Sequence, residues 1–216
     1  MIVMKRESLS SETKKTGRPR DFDANEALEH AMHVFWKHGY ESTSMTVLSQ
    51  SMRMNAPSIY AAFGDKKSLF LKALDLYVGD LDEIRKTIDD STSAYDAARG
   101  MLLASAIRFT GTETPRGGML ASATASGSAE CADVQVIAAK KRASIESSLR
   151  ARIERDIENG SLPKSTSASA LAALTISVIQ GLSVLARDGS SRKKLQLVAD
   201  AAMAAWKTES EGMMAL

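Results

Sequence analysis

Lys66 and Lys67 are adjacent lysines directly after Asp65, a residue that can cap the start of a helix. Positive charge at the N-terminus of a helix opposes the helix dipole, so a purely structural design would place acids there. A phosphate group at this point would be bound favourably by both lysines and by the free backbone N–H groups of the helix. The pair indicates either a phosphate site or two solvated lysines, and taken alone it leaves both interpretations open.

Two short predicted helices, joined by a three-residue turn, precede this pair. Thr43 and Ser44 can cap the first, residues 53–55 break it, and Pro57 suits the first turn of the second. With a longer helix over residues 24–38 before them, these are the proportions of a helix-turn-helix, whose second helix enters the major groove of DNA. The residues predicted to be exposed near its start are small or polar, as contact with base edges and phosphates requires. They are Asn55, Ala56, Ser58 and Ala61.

Helical spacing of apolar residues continues through the rest of the chain, and the sequence contains no strand pattern. Asp23 and Glu26 predict a capping box for the first helix, and the fourth helix is predicted to run to Ile88. Residues 111–118 read as a loop, and residues 119–130 form a helix of nearly all small residues. We therefore expect an all-α protein. Its remaining predicted helices cover residues 94–110, 132–158, 167–187 and 191–207.

Basic charge is concentrated at the N-terminus. The net charge of the chain is only +2, yet residues 1–20 contain six basic and two acidic residues, which leaves a net negative remainder. We expect residues 1–21 to be a basic, disordered arm. Arg18 and Arg20 flank a proline and could enter a narrow minor groove of DNA, or the arm could be a solvated tail.

Composition favours a cytoplasmic protein without a membrane span. Cys131 is the only cysteine, so no intrachain disulfide can form, and residues 1–20 lack the apolar segment of a secretory signal. Residues 165–186 carry no charge, but their hydroxyl and amide side chains suit a buried helix better than a membrane span.

No motif in the sequence supports an enzyme, a metal or a cofactor. His30 and His33 have a spacing that can bind metal, but no third ligand accompanies them. The sequence has no phosphate-binding loop, dinucleotide glycine motif or nucleophile elbow.

Several spaced segments closely resemble the DNA-binding domain of the TetR family of repressors. They are Gly39-Tyr-Glu-Ser-Thr-Ser44, Pro57-Ser-Ile-Tyr60, Phe63 and Asp65-Lys-Lys-Ser-Leu-Phe70, with Gly17-Arg-Pro-Arg-Asp-Phe22 upstream. The resemblance covers about residues 17–75, whereas the remainder matches only in its layout of helices. It implies a helix-turn-helix domain over residues 22–78 and a helical effector-binding and dimerisation domain over residues 79–210.

The resemblance also implies roles for individual residues. Tyr60 and Lys66 would contact backbone phosphates, and the hydroxyl residues at the start of the second helix would do the same: Thr43, Ser44 and Thr46. The recognition helix would present Asn55, Ala56, Pro57 and Ser58 to the major groove. One departure is Arg53, where the family usually has glycine in the turn. It implies either a right-handed turn residue or modest backbone strain.

Members of this family bind palindromic operators as homodimers, and a small molecule bound in the body changes the spacing of the two DNA-binding heads. The predicted helix 167–187 is apolar on two sides, so it is buried either by its own chain and a partner or by its own chain alone. The candidate dimer residues are Ile176, Ile179, Ser183, Leu195, Val198 and Ala202.

Residues 119–130 either leave space for an effector or allow close helix packing. The candidate effector-binding residues are Met101, Ser105, Phe109, Met119 and Gln180, and no buried charge for an anionic effector is evident.

The expected function is that of a sequence-specific transcriptional regulator, a repressor released by an unknown small molecule. The alternative, an architectural or non-specific DNA-binding protein, predicts a much larger basic surplus than +2.

Overall fold

The computed structural model describes residues 23–122 and 132–211, and every regular element within them is helical, as the sequence predicts. The arm predicted over residues 1–21, with Arg18 and Arg20, lies outside the described residues. The described helices are α1 (Ala24–His38), α2 (Met45–Met52), α3 (Ala56–Phe63), α4 (Lys66–Val78), α5 (Leu81–Asp89), α6 (Ala94–Phe109), α7 (Met119–Ser122), α8 (Ala132–Glu158), α9 (Ala168–Arg187) and α10 (Arg192–Glu211).

Helices α1 to α4 form an N-terminal head around buried aromatic side chains. Phe35 of α1 and Phe70 of α4 are buried, and their rings meet edge to face with centroids 5.0 Å apart. Aromatic pairs in this arrangement stabilise a core beyond the area that they bury. Met119 of α7 and Val134 of α8 belong to the same core, so the head packs directly against the rest of the chain.

Helices α5, α6 and α8 to α10 form the body, which has a second core. Ala94, Ala98 and Ala106 of α6 are fully buried, and their small side chains allow neighbouring helices to approach closely. Leu182 of α9 and Leu195 of α10 fill the space between the helices.

A buried ion pair fixes the start of α6 to α8. Arg152 and Asp156 pair one helical turn apart, and both side chains are almost fully buried. The Asp156 carboxylate also accepts from the backbone N–H of Ala94 at 2.7 Å, while Arg152 donates to the carbonyls of Ser91 and Thr92. Buried charges persist only when they are paired and hydrogen-bonded in this way.

The fourth helix is shorter than the sequence analysis predicts. Helix α4 ends at Val78, Gly79 follows with a φ of 76°, and the Asp80 side chain caps α5 by accepting from the N–H of Asp82. The prediction of one helix to Ile88 was wrong because apolar spacing continues across the break. The Gly79-Asp80 pair itself combines a helix stop with a helix cap.

The other helix predictions agree with the structure. Helices α1, α6, α8 and α9 have the predicted bounds to within about one residue, whereas α10 extends four residues beyond the predicted end. Of the predicted helix 119–130, residues 119–122 form α7, and residues 123–130 lie outside the described residues.

Candidate nucleic-acid interface and body cavity

The two short helices of the head are held by side-chain caps at their first turns. Ser44 Oγ accepts from the N–H of Val47 at 3.3 Å, and Asn55 Oδ1 accepts from the N–H of Ser58 at 2.8 Å. Each cap satisfies a backbone donor that the helix cannot pair internally. Asn55 is therefore both the cap of α3 and an exposed residue at its start.

Arg53 adopts the left-handed conformation, with φ 54° and ψ 35°. Its N–H donates to the Gln50 carbonyl, and the N–H of Met54 donates to the Ser49 carbonyl at 3.1 Å. This is the Schellman arrangement, in which glycine is the usual residue at the left-handed position. The sequence left open a right-handed residue or backbone strain at Arg53. The structure shows the strained, left-handed conformation, so Arg53 adopts the backbone that glycine usually adopts in this turn.

Helix α3 has one buried and one open face. Ile59 and Phe63 are buried against the head core, whereas Pro57, Ser58 and Tyr60 are exposed, with Tyr60 49% accessible. Ser44 and Thr46 at the start of α2 are also exposed, and Ala56 is half-buried. The open face carries no charged side chain, so it can approach base edges closely.

Lys66 and Lys67 have different surroundings. The half-buried Lys66 ammonium lies 4.7 Å from the centroid of the Tyr40 ring and 3.4 Å from the carbonyl of Glu41. Lys67 forms an ion pair with Asp133 of α8, and this hydrogen bond raises the pKa of Lys67. Lys67 is therefore already paired with a carboxylate, and the phosphate contact of Lys66 stays a prediction.

Thr43 does not fit the phosphate-contacting role that the resemblance implies. Its side chain is only 1% exposed, and its hydroxyl donates to the carbonyl of Gly39 at 2.6 Å. That bond closes the loop between α1 and α2. Ser44 and Thr46 remain exposed at the same end of α2, so we retain those two as candidate phosphate contacts.

A groove beside α3 was not anticipated from the sequence. It has a volume of about 740 Å³ and lies between α1 and the α2–α3 turn, with Arg53, Asn55 and Ser58 on one wall. Asp23, the cap of α1, and Glu26 within α1 line the other wall. These acids would repel phosphates, and neither Tyr60 nor Lys66 borders the groove.

The body contains a cavity of about 220 Å³. Four of the five candidate effector residues line it: Met101, Ser105, Phe109 and Gln180. The fifth, Met119, is fully buried in the head core instead, next to Leu120, which does line the cavity. Arg108 of α6 and Arg142 of α8 also line it. The sequence analysis did not predict charge there, because the way in which two distant helices pack cannot be read from their spacing in the chain.

The candidate dimer residues lie mostly inside the chain. Ile176 and Ile179 are half-buried and line the body cavity. Ser183 is 1% exposed and its hydroxyl accepts from the N–H of Gly118, and Leu195 is fully buried. Val198 and Ala202 are half-buried. Ser183 and Leu195 are therefore covered by the chain's own core and are not available to a partner subunit. The assignments of the other four residues stay predictions.

The face that remains open on α9 and α10 is small and apolar. Val184 is 55% exposed and Leu197 is 61% exposed, and Ser177 and Gly181 are exposed on α9 at helical spacing from Val184. An exposed apolar face of this kind indicates a contact with another molecule.

Helix α9 is also long and apolar enough to cross a membrane by length and composition, yet Leu171 and Leu182 are buried in the body core.

Polar contacts join the head to the body. Trp36 Nε1 donates to the Gly117 carbonyl at 2.8 Å, and Lys141 Nζ lies 2.6 Å from the Asp75 carboxylate. Arg108 donates to the carbonyl of Tyr77 at 2.6 Å, with its guanidinium 4.0 Å from the centroid of the Tyr77 ring.

Within the described ranges no cluster of three or more His, Cys, Asp or Glu side chains could hold a metal ion.

Comparison with known proteins agrees with this arrangement. Residues 27–73 match the sequence model of bacterial regulatory proteins of the tetR family. The HTH-type transcriptional repressor ComR of Escherichia coli strain K12 is 30% identical over 205 residues, which cover 94% of this chain and 98% of ComR. The repressor BdcR of the same organism is 40% identical over 63 residues, covering 29% of this chain and 32% of BdcR.

Among solved structures, the chain is similar to a cysteine mutant of the TetR family transcriptional regulator CifR, over the whole length of the CifR chain. That mutant is complexed with a 26-bp double-strand operator DNA. It is 38% identical, with a TM-score of 0.82, and the match covers 88% of this chain and 100% of the CifR chain. The likeness therefore extends beyond the head to the helical body.

Proposed function

Because this chain belongs to the TetR family of bacterial regulatory proteins, we propose that it is a sequence-specific transcriptional repressor that binds a palindromic operator as a homodimer and is released by a small molecule. The observation that carries this proposal is the uncharged open face of α3, with exposed Tyr60 beside it and the Lys66 ammonium close by. Such a surface reads groove shape and base edges. ComR and CifR are themselves transcriptional regulators, a role that is not enzymatic.

Phosphate contacts would come from a small set of head residues. Lys66 lies in the first turn of α4, with its ammonium over the Tyr40 ring and against the carbonyl of Glu41. Tyr60, Ser44 and Thr46 offer hydroxyl groups on exposed side chains. Neutral hydroxyls and one cation position a protein on DNA without a strong non-specific attraction. The small number of cations on this surface favours a sequence-specific regulator over an architectural DNA-binding protein.

The homodimer would form through the open face of α9 and α10. Val184 and Leu197 are the most exposed large apolar side chains there, and Gly181 allows two helices to approach closely. The subunits would act in the cytoplasm, where the operator is found. The body cavity would bind the effector, since four of the five candidate effector side chains line it.

A DNA-selection experiment with random duplexes at two salt concentrations tests this function. We expect an enriched palindrome with wild-type protein and its loss in the double variant Tyr60→Ala/Lys66→Ala. The matched control is Lys72→Ala, which removes an exposed lysine from the same helix and should retain the palindrome. DNA without a shared sequence and with steep salt dependence would instead support the architectural alternative. Failure to recover any DNA with folded protein would contradict the helix-turn-helix assignment.

A further inference from the structure

The body cavity has an uneven distribution of charge. Two of its lining residues, Arg108 and Arg142, are cationic, whereas none of the described lining residues is an aspartate, a glutamate or a histidine. The other polar groups on the wall are the neutral side chains of Ser105 and Gln180, together with the Tyr77 hydroxyl. The charged side chains among the described lining residues are therefore all positive.

Of the two arginines, Arg142 is the one whose surroundings point more clearly to an anionic ligand. Its side chain is half-buried, and partial burial lowers its pKa, although an arginine remains charged at any physiological pH. Its Nη1 donates to the carbonyl of Leu120 at 2.8 Å. A guanidinium has five N–H donors, so one bond to a carbonyl leaves donors that a bound molecule can use. No described carboxylate pairs with it, and a partly desolvated cation gains most from an anionic partner.

The rest of the wall is apolar. Ile145 of α8, Ile176 and Ile179 of α9, and Ile84 of α5 face the same space as Met101 of α6. A wall of this kind binds hydrocarbon or an aromatic ring, and a few polar groups fix the orientation of the ligand. The cavity volume of about 220 Å³ also limits the ligand, because a cavity of about 150 Å³ holds a benzene molecule.

We infer that this cavity binds a small amphipathic anion, with an apolar part about the size of one aromatic ring and a carboxylate or similar group that Arg142 and Arg108 bind. The inference rests on the proposed function, since it names the class of effector that would occupy the cavity. Arg142 would bind the anionic group from α8, while the isoleucines of α8 and α9 enclose the apolar part.

Isothermal titration calorimetry with the full chain tests the inference through three probes of nearly equal shape: benzoate, benzamide and benzylammonium. All three are titrated at the same ionic strength, with acetate as a control for anions that lack the ring. We expect benzoate to bind and the neutral and cationic probes to bind at least roughly ten-fold more weakly, because the cation–anion hydrogen bonds are lost. Acetate should bind much more weakly than benzoate because it leaves the apolar wall uncovered.

Variants then assign the effect to Arg142. Arg142→Gln should weaken benzoate binding roughly ten-fold or more and leave benzamide binding unchanged. Arg142→Lys keeps the charge and should retain part of the affinity. Arg150→Gln, on the same helix but exposed and paired with Glu154, is the matched control and should behave as wild type.

Either of two results would overturn the inference: benzamide or benzylammonium binding as tightly as benzoate, or no binding of benzoate at millimolar concentration by folded protein. Palindrome selection on the same preparations separates the two proposals. A selected palindrome without carboxylate preference overturns only the ligand class. Benzoate binding without any selected DNA overturns the regulatory function and leaves the cavity assignment intact.

Discussion

Replacing Arg53 by glycine should stabilise the protein. Arg53 is the only residue other than glycine with positive φ among the described residues. The left-handed conformation costs an L-residue about 1–2 kcal/mol, whereas glycine adopts it freely and loses roughly 0.5–1 kcal/mol more chain entropy on folding. The difference predicts that Arg53→Gly raises the free energy of unfolding by about 0.5–1 kcal/mol.

The matched control is Arg53→Ala, which removes the guanidinium but keeps a Cβ atom in the left-handed turn. Thermal unfolding followed by circular dichroism, at one protein concentration, compares the two variants. A difference of 1 kcal/mol corresponds to about 2–4 °C in Tm for a chain of this size. We expect Arg53→Gly to have the higher Tm. Equal Tm values for the two variants would refute the argument from backbone strain.

The same pair of variants separates backbone strain from DNA contact. The Arg53 side chain is exposed and borders the groove beside α3. If the guanidinium contacts a phosphate, both variants lower the slope of log K against log salt concentration by about 1, to the same extent. Fluorescence anisotropy with the selected operator at several salt concentrations measures this slope. A loss of affinity confined to Arg53→Gly would instead show that the turn must be rigid.

Substitutions at three further positions test other contacts. Asp156→Ala leaves the buried guanidinium of Arg152 without its carboxylate, so urea denaturation should show a loss of about 3–5 kcal/mol, whereas Asp156→Asn should lose less. The hydrogen bond from Ser68 holds the pKa of Asp65 below its ordinary value of 3.8, so the stability from this cap is present above that pH and is lost as the pH falls through the folded-state pKa. Asp65→Asn should therefore reduce the loss of Tm on the acid side. Thr43→Val should lower stability by about 1–3 kcal/mol by leaving a carbonyl unpaired, but should not change the salt dependence of operator binding, whereas Thr43→Ser should be near wild type in both.

Local features of the head were predictable because each depends on residues close together in the chain. The caps by Asp23 and Ser44 follow from side chains that accept from backbone N–H groups two or three residues further on. The stop at Gly64 follows from the positive φ that glycine adopts freely. The break at Gly79 was also local, but the apolar spacing on both sides concealed it. Periodicity shows that a helix exists more clearly than it shows where the helix ends.

Features that depend on distant residues were not predictable in the same way. Lys67 is neutralised by Asp133, which is remote in sequence, so the pair of lysines looked equivalent from the sequence. Ile176 and Ile179 were assigned to a dimer because a two-sided apolar helix reveals how much of its surface is buried, but not by what. The structure shows that one of its sides faces a cavity within the same chain.

Helix α4 connects the two sites that the proposed function requires. Lys66 lies in its first turn, and Tyr77 and Val78, about 18 Å further along the axis, line the body cavity. Arg108 lies in the cavity wall and also donates to the Tyr77 carbonyl, so an anion bound there competes with that carbonyl for the guanidinium. A ligand can change an equilibrium only through contacts that differ between two states, and this bond is one that an anion would alter directly. Because α4 is a continuous helix packed on α1, we expect a shift at its last turn to move its first turn, and with it the Lys66 ammonium.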